Sequence, residues 1–391
     1  MSEKERIWFV DWLRILAVFM LIPFHTAIAY VHGPLCYVKG PVTSVSMKLL
    51  FSLISMWFMP LLFLISGISA FFSFKVRNVT AFINERLSKL LLPLGVGSVT
   101  IVPVLTYYEA LQHGYTGSFF TFYPLFFTSV APNGYFNWGH FWFLAYLFVY
   151  ALITLPLFIR WKNKPSPLID NLISKTKGWA IYLPLLWFIL VEAFLRIKWP
   201  GNLTLINDWA NFFYYLALYM LGFLYSQHQG FSKAVTEKLS VSIILAVSTS
   251  VIILYSDLNK IDIIWDYNPR TLLILILHGI NTWFWLLALL GLGSRRLNFK
   301  NRFLTYAKGA CFPYYILHYL PVTVIGYYIV NQNLPVILKF AIVASASILV
   351  TIALYEVLFK RVNIIRILFG LQPLPRIKKH NNKVIDSSAT E

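Results

Sequence analysis

Acidic residues are scarce in this sequence: 15 Asp and Glu stand against 33 Lys and Arg, and charged residues of both signs make up only 12% of the 391 positions. A soluble domain carries about twice that charged fraction, so a water-facing globule is excluded. Cysteine is nearly absent. Cys36 and Cys311 lie in apolar surroundings with no CxxC or Cys/His spacing, which leaves no disulfide framework and no metal motif, and both read as packing residues. No GxSxG elbow is present, so the sequence offers no serine nucleophile of that kind. The basic excess comes with no nucleic-acid motif, and no nucleic-acid partner is expected.

What is abundant is apolar surface. Hydrophobic residues reach 58%, aromatics 18%, and mean hydropathy is +0.67. This composition predicts an all-α, polytopic integral membrane bundle. Ten segments are long and apolar enough to be drawn as spans, near 7–30, 46–74, 90–111, 139–159, 179–197, 211–227, 239–256, 271–292, 310–330 and 336–359. The first has no small-residue cleavage site after it and reads as a retained helix rather than a signal peptide. With the N-terminus inside, 25 of the 33 basic residues fall on the cytoplasmic side, which predicts a cytoplasmic-membrane protein with both termini cytoplasmic. Residues 1–373 form the membrane domain in this reading, and the polar stretch 374–391 a disordered tail.

Ionisable groups inside a span cost several kcal/mol unless they face a bundle interior or a wet cavity, so each is a candidate site residue. "DWLRILAVFMLIPFH" holds three of them: Asp11, Arg14 and His25. At about 100° and 1.5 Å per residue, Arg14 and His25 share one helix face some 16 Å apart, and Asp11 is placed to pair with Arg14. Arg86 and Lys89 in "FINERLSKLLLP" lie about a turn apart and offer a forked donor and a point charge to one phosphate-bearing ligand. His318 and Glu356 fall with them on the inner half. His25, His140, Glu192 and Glu109 fall on the outer half. Ser66-Gly67 in "SGISAFF" reads as a point of close helix approach. Trp142, beside His140, is open to two readings: an interfacial belt residue, or a ring that stacks on a sugar.

A polar tunnel with a cationic inner mouth fits an acyl-CoA donor, its phosphates held inside by Arg14, Arg86 and Lys89. His25 then meets the thioester from within and an acceptor from outside. Neutral imidazole suits removal of a hydroxyl proton near neutral pH. A transporter or flippase for an acyl donor or lipid-linked sugar is the alternative reading of the same polar path.

The first-helix motif, followed in order by "FLISGISAFFSF", "FINERLSKLLLP", "HFWFLAYL", "FPYYILHYLP" and "LYEVLFKRVNIIRILFGLQP", resembles membrane acyltransferase family 3 over about residues 6–373. Within it, the sequence is most similar to the glucan biosynthesis protein C branch, carried by the "HFWFL" form and by the late glutamate with its basic stretch. The resemblance implies an acyltransferase that moves acetyl or succinyl from cytoplasmic acyl-CoA to a hydroxyl of an extracytoplasmic carbohydrate such as a glucan. It implies His25 as catalytic residue, helped by Arg14 and Asp11, with Arg14, Arg86, Lys89 and His318 at the donor site. His140, Trp142 and Glu192 are expected to bind the acceptor, with no metal. Lys89 stands where the family carries a second arginine.

Overall fold

The computed structural model describes residues 7–33, 36–131, 133–163, 166–259 and 265–374. The expected disordered tail lies almost wholly outside them. The chain runs as α1 (Trp8–Phe19), α2 (Leu21–Ile28), α3 (Val45–Ser55), α4 (Phe58–Val76), α5 (Val79–Arg86), α6 (Leu92–Thr100), α7 (Val102–Gln112) and α8 (Phe119–Phe126). It continues through α9 (Trp142–Ile153), α10 (Leu155–Asn163), α11 (Pro167–Lys175), α12 (Pro184–Phe194), α13 (Trp209–Gln227), α14 (Gln229–Glu237), α15 (Leu239–Leu258) and α16 (Pro269–Arg296). The last four are α17 (Arg302–Leu317), α18 (Tyr319–Ile329), α19 (Val336–Leu354) and α20 (Asn363–Leu368). Among the described residues there is no strand, only a lone bridge between Val130 and Phe136.

Proline explains why apolar runs become helix pairs. Pro23, Pro60, Pro103, Pro156 and Pro321 each sit two to four residues beyond a break, at Met20, Met56–Trp57, Ile101, Thr154 and His318 respectively. Each lacks the N–H that would bond the carbonyl four residues back, and its ring crowds that carbonyl. Six stretches among the described residues are long and apolar enough to cross a membrane. Two bent pairs, α9–α10 at 56° and the pair ending in α12 at 108°, raise that to eight. The ten spans expected from hydropathy are therefore not all distinguished. The two outside this set are α13, diluted by Asn211 and four tyrosines, and the α17–α18 pair, divided at His318.

The interior is aromatic and tight. Phe158 stacks on Phe223 at 3.8 Å and Phe63 on Tyr215 at 4.3 Å between ring centroids. Large apolar side chains such as Ile244, Val251, Ile337 and Leu349 are exposed on the outside, as lipid contact requires. Helices in lipid associate through close packing rather than hydrophobic expulsion, and small residues permit that approach. The packing of α4 on α13 does this twice. A Cβ on Gly67 would collide with the carbonyl oxygen of Tyr219, and one on Gly222 with that of Leu64. The reading of Ser66-Gly67 as a point of close approach is thus met, with a reciprocal glycine on the partner helix.

Glu192 on α12 is held by a forked pair from Arg196, with Nε and Nη2 at 2.9 and 2.8 Å from its two carboxylate oxygens. Arg196 also donates to Asn211 on α13 at 2.7 Å. This triad ties α12 to α13 within the bundle. Both cysteines are free. Cys36 lies in the connection between α2 and α3, where burial pushes its thiol up to about 11.

Three outcomes follow from this packing. Gly67→Ala should destabilise the detergent-solubilised protein by at least about 2 kcal/mol through overpacking, whereas Gly95→Ala, which meets open space in α6, should be neutral or stabilise by up to about 1 kcal/mol. Arg196→Ala leaves a buried carboxylate uncompensated and should cost about 3 kcal/mol or more, much of it recovered in Arg196→Ala with Glu192→Gln. Because the Cys36 pKa is raised, its thiolate is nearly absent at pH 8, and alkylation of the folded protein should accelerate only as pH approaches 11.

Candidate active site

The break at His318 sets up the centre of the site. Carbonyls in the last turn of a helix lack intrahelical partners, and Pro321 offers none to Leu317. Two carbonyls of that turn take histidine N–H groups instead. His318 Nδ1 bonds the oxygen of Tyr315 at 2.7 Å, and His140 Nε2 bonds that of Ile316 at 3.1 Å. A carbonyl only accepts, so His318 carries its proton on Nδ1 and His140 carries its proton on Nε2. The other nitrogen of each ring, His318 Nε2 and His140 Nδ1, is buried without a partner.

His140 arrives from a short 3₁₀ turn, Gly139–Phe141, just ahead of α9. Gly139 has φ of +50°, and a Cβ there would lie 2.7 Å from the Tyr37 hydroxyl. Its N–H donates to Asn137 Oδ1, which also accepts from Tyr37. The Tyr315 hydroxyl donates to the backbone oxygen of His140 at 2.8 Å. The turn is therefore clamped to α17 from both sides.

His25 completes the cluster from α2. Its ring stacks on Tyr319 with centroids 3.8 Å apart and lies 5.2 Å from His318, which is itself 5.0 Å from His140. His25 Nδ1 is also buried without a partner. Three imidazoles thus meet, two of them with tautomers fixed by backbone and with bare nitrogens turned to no other protein group. His318 was expected on the inner half beside Arg86 and Lys89; it lies against His25 and His140, because α17 begins at Arg302, ahead of the expected start near 310, and carries His318 about as far along its helix as His25 is along α1–α2.

The cations collect along one face of α4. Arg14 donates to Ser69 Oγ at 2.6 Å and pairs with Asp11 Oδ1 at 3.3 Å. One turn further, Ser73 donates to Glu85 Oε2 at 2.9 Å and accepts from Arg77 at 3.1 Å. Glu85 draws Lys89 at 2.7 Å, Arg77 at 3.4 Å and Arg86 at 3.9 Å. One carboxylate serves three cations, so the cluster keeps net positive charge. Arg86 lies over the Phe82 ring at 4.5 Å, with its Nε buried and unpartnered. Lys89 falls within the π-helical turn Leu87–Leu91, whose wider register modifies the one-turn spacing expected of the pair.

Trp142 packs in an aromatic group with Phe63, Tyr146 and Tyr215. Glu192 is engaged by Arg196 and reaches none of the three histidines. Sequence reading missed Glu85, although its i,i+4 spacing to Lys89 is visible, and it missed Ser69, Ser73 and Tyr319, whose hydroxyls carry no intrinsic signal of site membership. No group of three or more His, Cys, Asp or Glu side chains suited to a metal occurs among the described residues.

Comparison with known proteins places the chain in a family. Residues 7–356 match the family model described as an acyltransferase domain. Curated relatives include glucans biosynthesis protein C of Escherichia coli O139:H28, 23% identical over 397 residues. The protein of the same name from strain K12 is 23% identical over 394 residues, and each alignment covers 97% of both chains. No solved structure matches. With the histidine cluster and the cation cluster both inside the matched region, this multi-pass membrane chain belongs to the acyltransferase family that the model describes.

Proposed function

We propose that the protein is an O-acyltransferase of the cytoplasmic membrane that takes acetyl or succinyl from cytoplasmic acyl-CoA and places it on a hydroxyl of an extracytoplasmic carbohydrate such as a glucan. The observation that carries the reading is the cluster of His25, His318 and His140 with its bare imidazole nitrogens, together with the cations Arg14, Arg77, Arg86 and Lys89 gathered along α4. These two groups divide the two substrates by charge. Arg14, Arg86 and Lys89 receive the phosphates of the donor, Arg86 through its unpartnered Nε as well as its forked end. In the full topology α13 and the α17–α18 pair cross as well, giving about ten spans with both termini cytoplasmic.

At the other end, His25 takes the proton from the acceptor hydroxyl as its oxygen attacks the thioester carbonyl. The new C–O bond forms, the C–S bond breaks, and the proton returns to the leaving sulfur to give free CoA. No enzyme nucleophile is required. His318 sits next to His25 with its Nδ1 proton donated to Tyr315, which holds the ring in place. Asp11 keeps Arg14 oriented. His140 and Trp142, which straddle the entry to α9, are assigned to the acceptor side. Glu192, neutralised by Arg196, is left in a structural role. The names of the glucans biosynthesis proteins support the carbohydrate acceptor.

Thiol release from acetyl-CoA and succinyl-CoA, with and without an oligoglucan, checks the assignment. Acceptor-stimulated release should fall about 10²–10⁴-fold in His25→Ala with CoA affinity unchanged. Arg14→Ala should instead weaken CoA binding about tenfold or more, and Lys89→Arg should retain or improve it. Equal, slow release by wild type and His25→Ala would remove the catalytic role and favour transport of the donor.

A further inference from the structure

The start of α17 lies beside the π-helical turn Tyr355–Phe359 that follows α19. Between them is an open hollow of about 650 Å³, whose lining includes Lys300, Arg302, Tyr306, Gly309, Tyr355 and Lys360. That is within the range of small-molecule sites, about 300–1,000 Å³. Its cations come from two distant parts of the chain, and packing brings them together. Lys360 lies over the Tyr306 ring at 4.8 Å and the Tyr355 ring at 5.5 Å, and it pairs with Glu356 at 2.9 Å. The Tyr306 hydroxyl donates to the same carboxylate oxygen at 2.7 Å. Lys300 lies over the Trp8 ring of α1 at 5.4 Å. A Cβ on Gly309 would stand 3.2 Å from the Tyr355 hydroxyl, so the glycine lets that ring close against α17.

The candidate span Val336–Phe359 ends one residue before Lys360, which puts the hollow at a membrane surface. The same segments carry exposed apolar side chains: Phe299 and Phe303 about the start of α17, and Val357 in the π turn, each 46–54% exposed. The first two are anchored by Trp12, which stacks on Phe303 with centroids 5.8 Å apart and donates to the backbone oxygen of Phe299 at 3.1 Å. Glu356 is already engaged by Lys360 and Tyr306, and Arg302 forms no ion pair among the described residues. Cations at a membrane surface, with apolar flanks exposed beside them, fit a molecule that is anionic at one end and apolar at the other. A soluble nucleotide would leave the phenylalanines unused; a phospholipid engages both.

We propose that this hollow binds the headgroup of an anionic phospholipid, its phosphodiester held by Arg302 and Lys360 with Lys300 at the edge, and its chains lying against Phe303 and Val357. Arg302 offers phosphate oxygens a forked contact and Lys360 a point charge. The bound lipid bridges α17 and the π turn, and so braces the helix that ends at His318. The site shares no residue with Arg14, Arg86 and Lys89, and it does not depend on the acyltransferase reading.

Native mass spectrometry of the full-length protein in detergent, offered phosphatidylglycerol and phosphatidylcholine in equal amounts, tests this. Phosphatidylglycerol should be retained in preference. Its retention should fall about fivefold in Arg302→Gln and about twentyfold or more in Arg302→Gln with Lys360→Gln, as expected for one and two charges at a membrane surface. Arg302→Lys should keep most of it. Arg296→Gln, which removes an exposed cation at the end of α16 outside the hollow, should change nothing. Equal retention of both lipids, or a loss as large in Arg296→Gln as in Arg302→Gln, would overturn the site. Displacement of phosphatidylglycerol by an equal concentration of 3′,5′-ADP or inorganic phosphate would overturn it too, by assigning the hollow to a soluble phosphate ligand. Thermal stability in the same detergent identifies a misfolded double variant, and the single change at the exposed Arg302 keeps the test decisive in that event.

Discussion

One missing hydrogen bond organises the centre of this protein. Pro321 has no N–H to return to Leu317, so the helix stops at His318, and the carbonyls of the interrupted turn are left facing inward. In lipid a carbonyl without a donor is costly, and here the donors are imidazole rings. Tyr315 takes His318 and Ile316 takes His140. The backbone defect therefore becomes the tool that fixes two tautomers. Pro23 acts in the same sense on the opposite helix, breaking it at Met20 so that His25 approaches Tyr319 and His318 on a segment with its own direction.

The electrostatics follow from the same constraint. Charges are tolerated inside a membrane bundle only in company, and the two groups of polar residues solve this differently. At the Arg14 end, α4 supplies Ser69 and Ser73 on successive turns, and Glu85 gathers three cations about one carboxylate. On the proposed reading the surplus of positive charge receives the phosphates of the donor. At the histidine end the groups are chiefly imidazole and tyrosine rings. On the proposed reading that difference assigns donor and acceptor to different ends. Elsewhere, as at Glu192 and Arg196, charges cancel pairwise and serve packing alone.

Much of this was legible in the residues. An arginine and a histidine eleven positions apart in an apolar run drew attention to the first helix, and Ser66-Gly67 marked the close approach of α4 and α13. The Glu192–Arg196 pair was legible too, at a spacing of four, yet a lone buried glutamate drew the eye to the acceptor instead. Other features depend on tertiary placement that no local pattern encodes. His318 was placed with the inner cations because depth was counted from a span start near 310, whereas α17 begins at Arg302 and carries it beside His25. The hydroxyls of Thr26 and Thr323 look like those of any other membrane threonine until they are seen to lack any hydrogen-bond partner. The span count shows the same limit, since tyrosines in α13 and the interruption at His318 blur apolar runs that composition alone would join.

The claim on which everything else rests is that donor and acceptor meet from opposite sides at His25. Sealed vesicles carrying the protein in one orientation, supplied with labelled acyl-CoA on one side and an oligoglucan on the other, test it directly. The account predicts labelled glucan only when acyl-CoA is on the side of Arg14 and Arg86 and the glucan on the side of His140. Transfer that requires both substrates on the same side would contradict it.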